Sequence, residues 1–422
     1  MSHTSYAIPL VFVLAGLVLY VVLGGADFGA GFWQLLAGRG ADADELRDEA
    51  HRAIGPVWEA NHVWLIFVLT VAWTAYPRAF GAIASTMAIP LFVAAIGIIF
   101  RGLAYALRSG ASSERERRSI DTVFSISSLL TPFALGTVIG AIASRRIPVG
   151  NATGDELTSW LNPTSILIGV LAVATSAYVA AVFLCADSVR HGQTHLEGRF
   201  RRRALAAGVV AGVLAFAGLP VLNHDAHPLF HRLVDGAGLA GVVVSLVAGC
   251  ATLALVWRRR YEPARYSAAL AVAAIVAGWA LAQQPLLLSN LTIQQAAAPR
   301  STMLAVTIAV LAGGAILFPS LALLFRLTLT GQLAHGDEHD QVVAGKPLLG
   351  ALGPGLSLRA ALAAFGGGFV LLTIANAPWT HALGVVCLLA FIPLAFPAAL
   401  PNDEPGPAAD SARPQGLKQE DP

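Results

Sequence analysis

Residues 23–31 read Leu23-Gly24-Gly25-Ala26-Asp27-Phe28-Gly29-Ala30-Gly31, and they lie inside an apolar run that covers residues 9–36. A carboxylate held at that depth in a membrane helix costs roughly 2.5 to 3.5 kcal/mol on insertion scales, so a chain that keeps one gives it a bundle interior or water to face. The run is long enough to cross a bilayer, for which about 20 predominantly apolar residues suffice. The glycines and alanines around Asp27 permit close helix contacts, so the stretch predicts a helix packed among others rather than a lone anchor. No basic segment precedes the run, and it outlasts the apolar part of a signal sequence, so it is expected to stay in the mature protein.

The rest of the chain repeats this pattern. Of its 422 residues, 56% are hydrophobic and only 12% charged, and the mean hydropathy is +0.67. Such a composition excludes a water-soluble enzyme and specifies a polytopic membrane protein. Nine spans are expected at 9–36, 57–76, 79–100, 120–143, 164–186, 204–222, 238–257, 266–288 and 302–325, and two more at 358–375 and 381–400. Backbone groups in hydrocarbon must be bonded internally, which makes the fold an all-α helix bundle. Residues 1–330 then form the membrane domain, 331–357 a polar cytoplasmic linker, 358–400 two additional spans and 401–422 a proline-rich, charged tail with nothing to bury.

Arginine placement gives an orientation. Arg39, Arg47 and Arg52 fall in the first connection, and the third, fifth and seventh carry the clusters around Arg117, Arg201 and Arg259. The intervening connections hold only Arg78, Arg145, Arg146, Arg232 and Arg300. The arginine-rich side is expected to be cytoplasmic, which puts the N-terminus outside and the C-terminus inside. The net charge of +2 reflects this asymmetry and not a nucleic-acid footprint. Cys185, Cys250 and Cys387 sit in or beside apolar spans and imply no disulfide framework.

The second span opens with Gly55-Pro56-Val57-Trp58-Glu59-Ala60-Asn61-His62-Val63-Trp64. Asp27 is deep and Glu59 shallow, so the two carboxyls form a ladder rising from the cytoplasm with an axial gap of roughly 10 Å, wide enough for bridging water. His62 lies three residues beyond Glu59 on a neighbouring part of the helical face, where it can pass a proton near neutral pH. Arg101, expected at the cytoplasmic end of the third span, is the available counter-ion. The same residues also fit a purely structural polar network. Axial haem ligation would need His or Met inside the spans, and only His62 and Met87 lie there, which favours a haem-free chain. His224, His227 and His231 share an outer connection, but their loose spacing reads as a solvated loop rather than a metal site. Cys185-Ala186-Asp187 ends the fifth span as Gly25-Ala26-Asp27 does deeper in the first; Asp187 is expected to be a helix-end contact with solvent.

These motifs carry a resemblance. The Gly-Ala-Asp27-Phe-Gly-Ala-Gly31 stretch, the Trp58-to-Trp64 stretch, and Pro285 followed by Ser289-Asn290-Leu291-Thr292-Ile293-Gln294-Gln295-Ala296 together resemble subunit II of the cytochrome bd-type quinol oxidases. The resemblance covers residues 6–326 and implies two four-helix bundles plus a ninth helix. It implies a haem-bearing partner, subunit I, which holds haems b558, b595 and d, oxidises quinol and reduces dioxygen to water in the bacterial cytoplasmic membrane. The chain itself is then a haem-free companion that supplies part of the cytoplasmic proton-uptake route. Asp27 and Glu59 match the proposed proton-path acids, with Trp58, Asn61, Trp64 and Arg101 as supports near the interface. Quinone, membrane lipid and small single-span subunits are further expected partners. Glu59-Ala60 stands where Asp-Gly is frequent in the family, and His62 where Gln or Glu is frequent. An ion-coupled secondary transporter would also place an acid at mid-depth beside glycines, but it would show inverted repeats, whereas the suspected halves here are parallel.

Overall fold

The computed structural model describes residues 4–38, 61–111, 113–329 and 354–373, with isolated positions at 45 and 47 and between 379 and 390. The first compact unit, Met1–Leu321, is built from helices. In chain order they are α1 (Thr4–Leu35), α2 (Asn61–Ala75), α3 (Pro77–Thr86), α4 (Ala88–Leu107), α5 (Glu114–Ala143), α6 (Pro163–Arg190), α7 (Thr194–Asp225), α8 (His227–Val234), α9 (Leu239–Trp257), α10 (Tyr261–Gln283), α11 (Ile293–Ala296) and α12 (Arg300–Leu329). A short antiparallel pair, β1 (Leu286–Leu288) and β2 (Leu291–Thr292), lies between α10 and α11. Among the described residues eight helices are long and apolar enough to cross a membrane, or nine if α2 and α3 count as one broken span. The chain is an integral membrane protein of the expected all-α class.

Helix ends follow local chemistry. Ser113 accepts from the Glu116 amide at the start of α5, and Asn162 accepts from the Ser165 amide at the start of α6, where Pro163 occupies a first-turn position that needs no N–H. Arg201 of α7 donates to the carbonyls of Val256 (3.2 Å) and Trp257 (2.7 Å), satisfying the C-terminus of α9. In the loop between α5 and α6, the Thr158 and Leu157 amides and the Thr158 hydroxyl bond the Asp155 carboxylate and hold it below the usual carboxylate range.

Two expected spans are corrected. The run 79–100 is not one helix: α3 is bent by 120° from α2, the backbone breaks at Met87, and the crossing helix is α4, seven residues further along at its end than expected. Pro90 gives the reason, since in a continuous helix its ring would clash with the carbonyl four residues back, at Thr86, whereas in the first turn of α4 it is tolerated. The run 266–288 also ends early, at Gln283. Pro285 disfavours helix for the residue before it, Gln284 is extended with ψ 150°, and residues 286–288 pair as β1.

Helices α1, α5, α6 and α10 pack together at the centre, with α4 against α5, α7 against α6 and α9 against α10. The main core gathers Val179, Val182 and Leu184 of α6 with Phe200, Val256 and Tyr261. A second core at the opposite end joins Ala75, Tyr76, Met87, Ile147, Leu288 and Ala296. There the Pro285–Ala296 motif acts as a clamp: Ser289 donates to Arg145 and Ile147 carbonyls, the Ala298 amide to Ala75 O (2.8 Å), and Arg78 to Gln295 O (3.1 Å). The second compact unit begins at Ala322, and within it α13 (Pro354–Thr373) covers most of the expected span 358–375. The expected linker lies outside the described residues except for its last four positions, the 381–400 span has only a few described positions, and the 401–422 tail has none.

The α1–α6 contact depends on Gly29, where an added Cβ would lie 1.9 Å from the Ser176 carbonyl oxygen. That neighbour is backbone and cannot yield. Gly29→Ala is therefore expected to cost about 1–3 kcal/mol or more and to lower the yield and melting temperature of detergent-purified protein, while Gly212→Ala, which meets nothing within 4 Å, leaves both unchanged.

Candidate functional site

Asp27 is 1% exposed and Arg101 1% exposed, and they bond to each other. Arg101 Nη1 donates to Asp27 Oδ2 at 2.6 Å, Nη2 donates to Oδ1 at 2.6 Å, and Nη2 also reaches the Asp27 carbonyl at 2.9 Å. The remaining edge of the guanidinium is used as well: Nε donates to Ser128 Oγ at 2.8 Å, and that hydroxyl donates to Phe124 O at 2.6 Å. Its faces lie over two rings, Phe124 at 4.5 Å and Phe28 at 5.0 Å, contacts that gain strength when desolvated. Asn61 Nδ2 completes the shell with a long bond to Asp27 Oδ2, 3.5 Å.

Four helices supply these groups. Asp27 lies eight residues before the end of α1, about 12 Å in, and Arg101 six residues before the end of α4, about 9 Å in. Arg101 is thus two turns inside the bundle and not at a helix end, because α4 begins and ends later than the apolar run suggested. Ser128 reaches the pair from α5 because Gly31 leaves room: a Cβ there would lie 2.2 Å from Ser128 Oγ. Desolvating two charges costs several kcal/mol each, and only this density of hydrogen bonds offsets it.

A polar stripe passes through the pair along α1. Tyr20, Asp27 and Gln34 are seven residues apart, close to two helical turns, and are 7%, 1% and 2% exposed. Tyr20 OH, Gln34 Oε1 and Asn61 Oδ1 are buried with no hydrogen-bond partner among the described residues. Buried polar atoms of this kind are places for ordered water.

The structure therefore brings together Asp27, Asn61 and Arg101 of the expected set. Trp64 packs edge-on against Phe67, ring centroids 6.1 Å apart, and His62 is half-buried near the start of α2. Trp58 and Glu59 lie outside the described residues. Sequence reading missed Ser128, Phe124, Tyr20 and Gln34. The heptad spacing of Tyr20, Asp27 and Gln34 was available to find the last two; nothing in the sequence marks one serine of α5 above its neighbours.

A second, half-buried acid is also paired. Asp187 is not a solvent contact: Arg265 of α10 forms an ion pair with it and also donates to Phe183 O at 3.0 Å, with its guanidinium 4.9 Å over the Phe183 ring. Both Ala-Asp dipeptides thus hold an arginine that also binds a carbonyl and covers a phenylalanine. The two candidate haem ligands do not converge. His62 is at one end of α2, and Met87 packs in the core that contains Ala75 at the other, roughly 20 Å away along the helix axis.

Residues 6–328 match the sequence family described as cytochrome bd terminal oxidase subunit II. The chain is 27% identical over 209 residues to cytochrome bd ubiquinol oxidase subunit 2 of Bacillus subtilis, covering 49% of this chain and 60% of that protein. It is 27% identical over 219 residues to cytochrome bd-I ubiquinol oxidase subunit 2 of Escherichia coli K12, covering 50% and 56%. Each alignment thus takes in less than two thirds of the relative. In fold it is similar to a chain of the bd oxidase from Geobacillus thermodenitrificans, with a TM-score of 0.61 at 24% identity over 78% of this chain and 99% of the other.

Removing one member of the buried pair strands the other charge. Arg101→Leu is expected to destabilise the protein by roughly 3–5 kcal/mol, and Asp27→Leu combined with Arg101→Leu to recover most of that loss. Thermal unfolding of the single and double variants, read as a double-mutant cycle, checks the coupling.

Proposed function

The chain belongs to the cytochrome bd terminal oxidase subunit II family, and from that premise we propose that it serves as the haem-free membrane subunit of a quinol-oxidising, dioxygen-reducing complex. In this reading it docks with a haem-bearing subunit I, lies in the bacterial cytoplasmic membrane with its N-terminus outside, and gives protons a route from the arginine-rich side toward the partner's oxygen chemistry. The family membership displaces the transporter reading. The haems of the partner supply the electron transfer; what this chain contributes is structure and a path for protons.

The observation that carries the proton reading is the stripe of Gln34, Asp27 and Tyr20 with its unpartnered buried polar atoms. In this reading water bonded to Gln34 Oε1 and Asn61 Oδ1 would link the arginine-rich end of α1 to the carboxylate, with His62 near the start of α2. At Asp27 the longest bond is the 3.5 Å one from Asn61 to Oδ2. A proton arriving there displaces the Asn61 amide and leaves both Arg101 bonds in place, so the site can load without coming apart. Tyr20 stands next along the stripe, edge-on to Phe28 at 6.4 Å, with a hydroxyl free to relay.

The bidentate Asp27–Arg101 bond supports a second reading, a structural clamp that orients α1, α4 and α5. The two readings separate in the intact complex. If the stripe conducts, Gln34→Leu, Tyr20→Phe and Asp27→Asn each lower quinol-driven oxygen consumption, Asp27→Asn by about tenfold or more, equivalent to about 1.4 kcal/mol on the limiting step. Rates are counted per haem, so that loss of complex from the Arg101 charge left unpaired in Asp27→Asn is separated from loss of turnover. A clamp alone predicts normal turnover per haem with reduced yield of complex, and that outcome removes the proton role.

A further inference from the structure

Between α1, α5, α6 and α7 the bundle leaves a cleft of ≈ 540 Å³ walled by carbon, with Trp33, Leu129, Phe133, Val173 and Ala177 on its sides. It opens on the outer surface: Leu36, Ile126 and Val210 on its rim are 54%, 52% and 53% exposed. An unfilled apolar slot forfeits the dispersion contacts of its lining atoms, so in a bilayer hydrocarbon enters it.

A cation lies beside this cleft, against two of its lining residues. Arg203 of α7 lies with its guanidinium carbon 5.1 Å over the Trp33 ring, and its Nη2 donates to Leu36 O at 3.2 Å. Trp33 and Leu36 both line the cleft, so the guanidinium stands at its mouth. Arg203 Nη1 is buried with no acceptor among the described residues, and no described carboxylate pairs with this arginine. Arg199, one turn earlier on α7, adds a like charge that acts on Arg203. Arg202 is exposed and donates to Gly198 O of its own helix at 3.4 Å. Among the described residues this half-buried donor keeps an N–H without an acceptor beside a hydrocarbon slot, a pairing that suits an anion carried on an apolar chain.

We propose that this cleft binds one anionic phospholipid, with an acyl chain between α1, α5, α6 and α7 and its phosphate accepting from Arg203 Nη1 while Arg199 and Arg202 face the headgroup. Basic pockets at the ends of transmembrane helices select anionic headgroups in this way. A partner helix would fill the slot with side chains but bring no obligatory anion to Arg203, and a neutral quinone headgroup leaves that N–H with only a weak acceptor.

The test uses the purified complex, stripped of lipid, returned to micelles containing phosphatidylglycerol or phosphatidylcholine, and weighed by native mass spectrometry with bound lipid retained. Wild type is expected to keep one phosphatidylglycerol in preference to phosphatidylcholine. Arg203→Gln reduces that preference by about fivefold, the worth of one basic side chain near an anionic charge, and Arg203→Lys restores part of it. Ala174→Phe, which fills the cleft, removes the bound lipid with the arginine intact, and inorganic phosphate at equal concentration does not compete. Retention of phosphatidylglycerol unchanged in both Arg203→Gln and Ala174→Phe overturns the proposal. So does density in the complex showing a helix of another subunit, or a quinone, seated in the cleft.

Discussion

The bond between Asp27 and Arg101 is the constraint around which this half of the bundle is arranged. Each charge offsets much of the cost of burying the other, since either alone would carry the uncompensated cost of leaving water. Their pairing fixes the register of α1 against α4 to within a hydrogen bond. Ser128 then fixes α5 to the same point, because Nε of the guanidinium is left only one acceptor, at 2.8 Å. The small residues around Asp27 follow from this geometry. Gly31 clears the space that the Ser128 hydroxyl occupies, and Gly29 lets α1 close on the Ser176 carbonyl of α6. A sequence motif that reads as glycine, alanine and one acid is the footprint of four helices converging on a single ion pair.

Much of this was legible in the sequence. The depth of Asp27 in an apolar run marked the site, Arg101 was identifiable as the counter-ion, the repeated apolar runs showed a polytopic bundle, with nine core spans expected against eight or nine among the described residues, and the motifs carried the family resemblance that the match over residues 6–328 supports. The failures have specific causes. Residues 79–100 are apolar throughout, so hydropathy does not register that Pro90 cannot continue a helix through Thr86. That error displaced Arg101 from two turns inside the bundle to its edge. Asp187 was placed in solvent because its partner, Arg265, is 78 residues away in the chain and nothing local links them. The aromatic faces around Arg101 come from Phe28 and Phe124, on different helices, a convergence that only the packing reveals.

Pair, stripe and cleft share α1. Trp33 belongs to both environments: its indole N–H donates to Ala177 O at 2.8 Å inside the bundle, while its ring carries Arg203 on the lipid-facing side. Helix α1 therefore presents polar atoms on one stripe and an apolar wall on another, and a lipid held in the cleft would brace the helix that bears Asp27. The parallel between Asp27–Arg101 and Asp187–Arg265 shows one solution used twice, an acid after alanine answered by an arginine that also covers a phenylalanine. In the second pair the side chains are 15% and 18% exposed rather than sealed, which leaves Asp27 as the deep member.

On the proposed proton path the Asp27 carboxyl, though ion-paired, gains and loses a proton during turnover. Infrared difference spectra of the intact complex, recorded between its reduced and oxygen-reacted states, decide whether it does. The expected result is a protonated-carboxyl C=O band that shifts in heavy water and disappears in Asp27→Asn when spectra are normalised to haem. A wild-type spectrum in which no such band depends on Asp27, with the carboxylate ionised throughout, would contradict it.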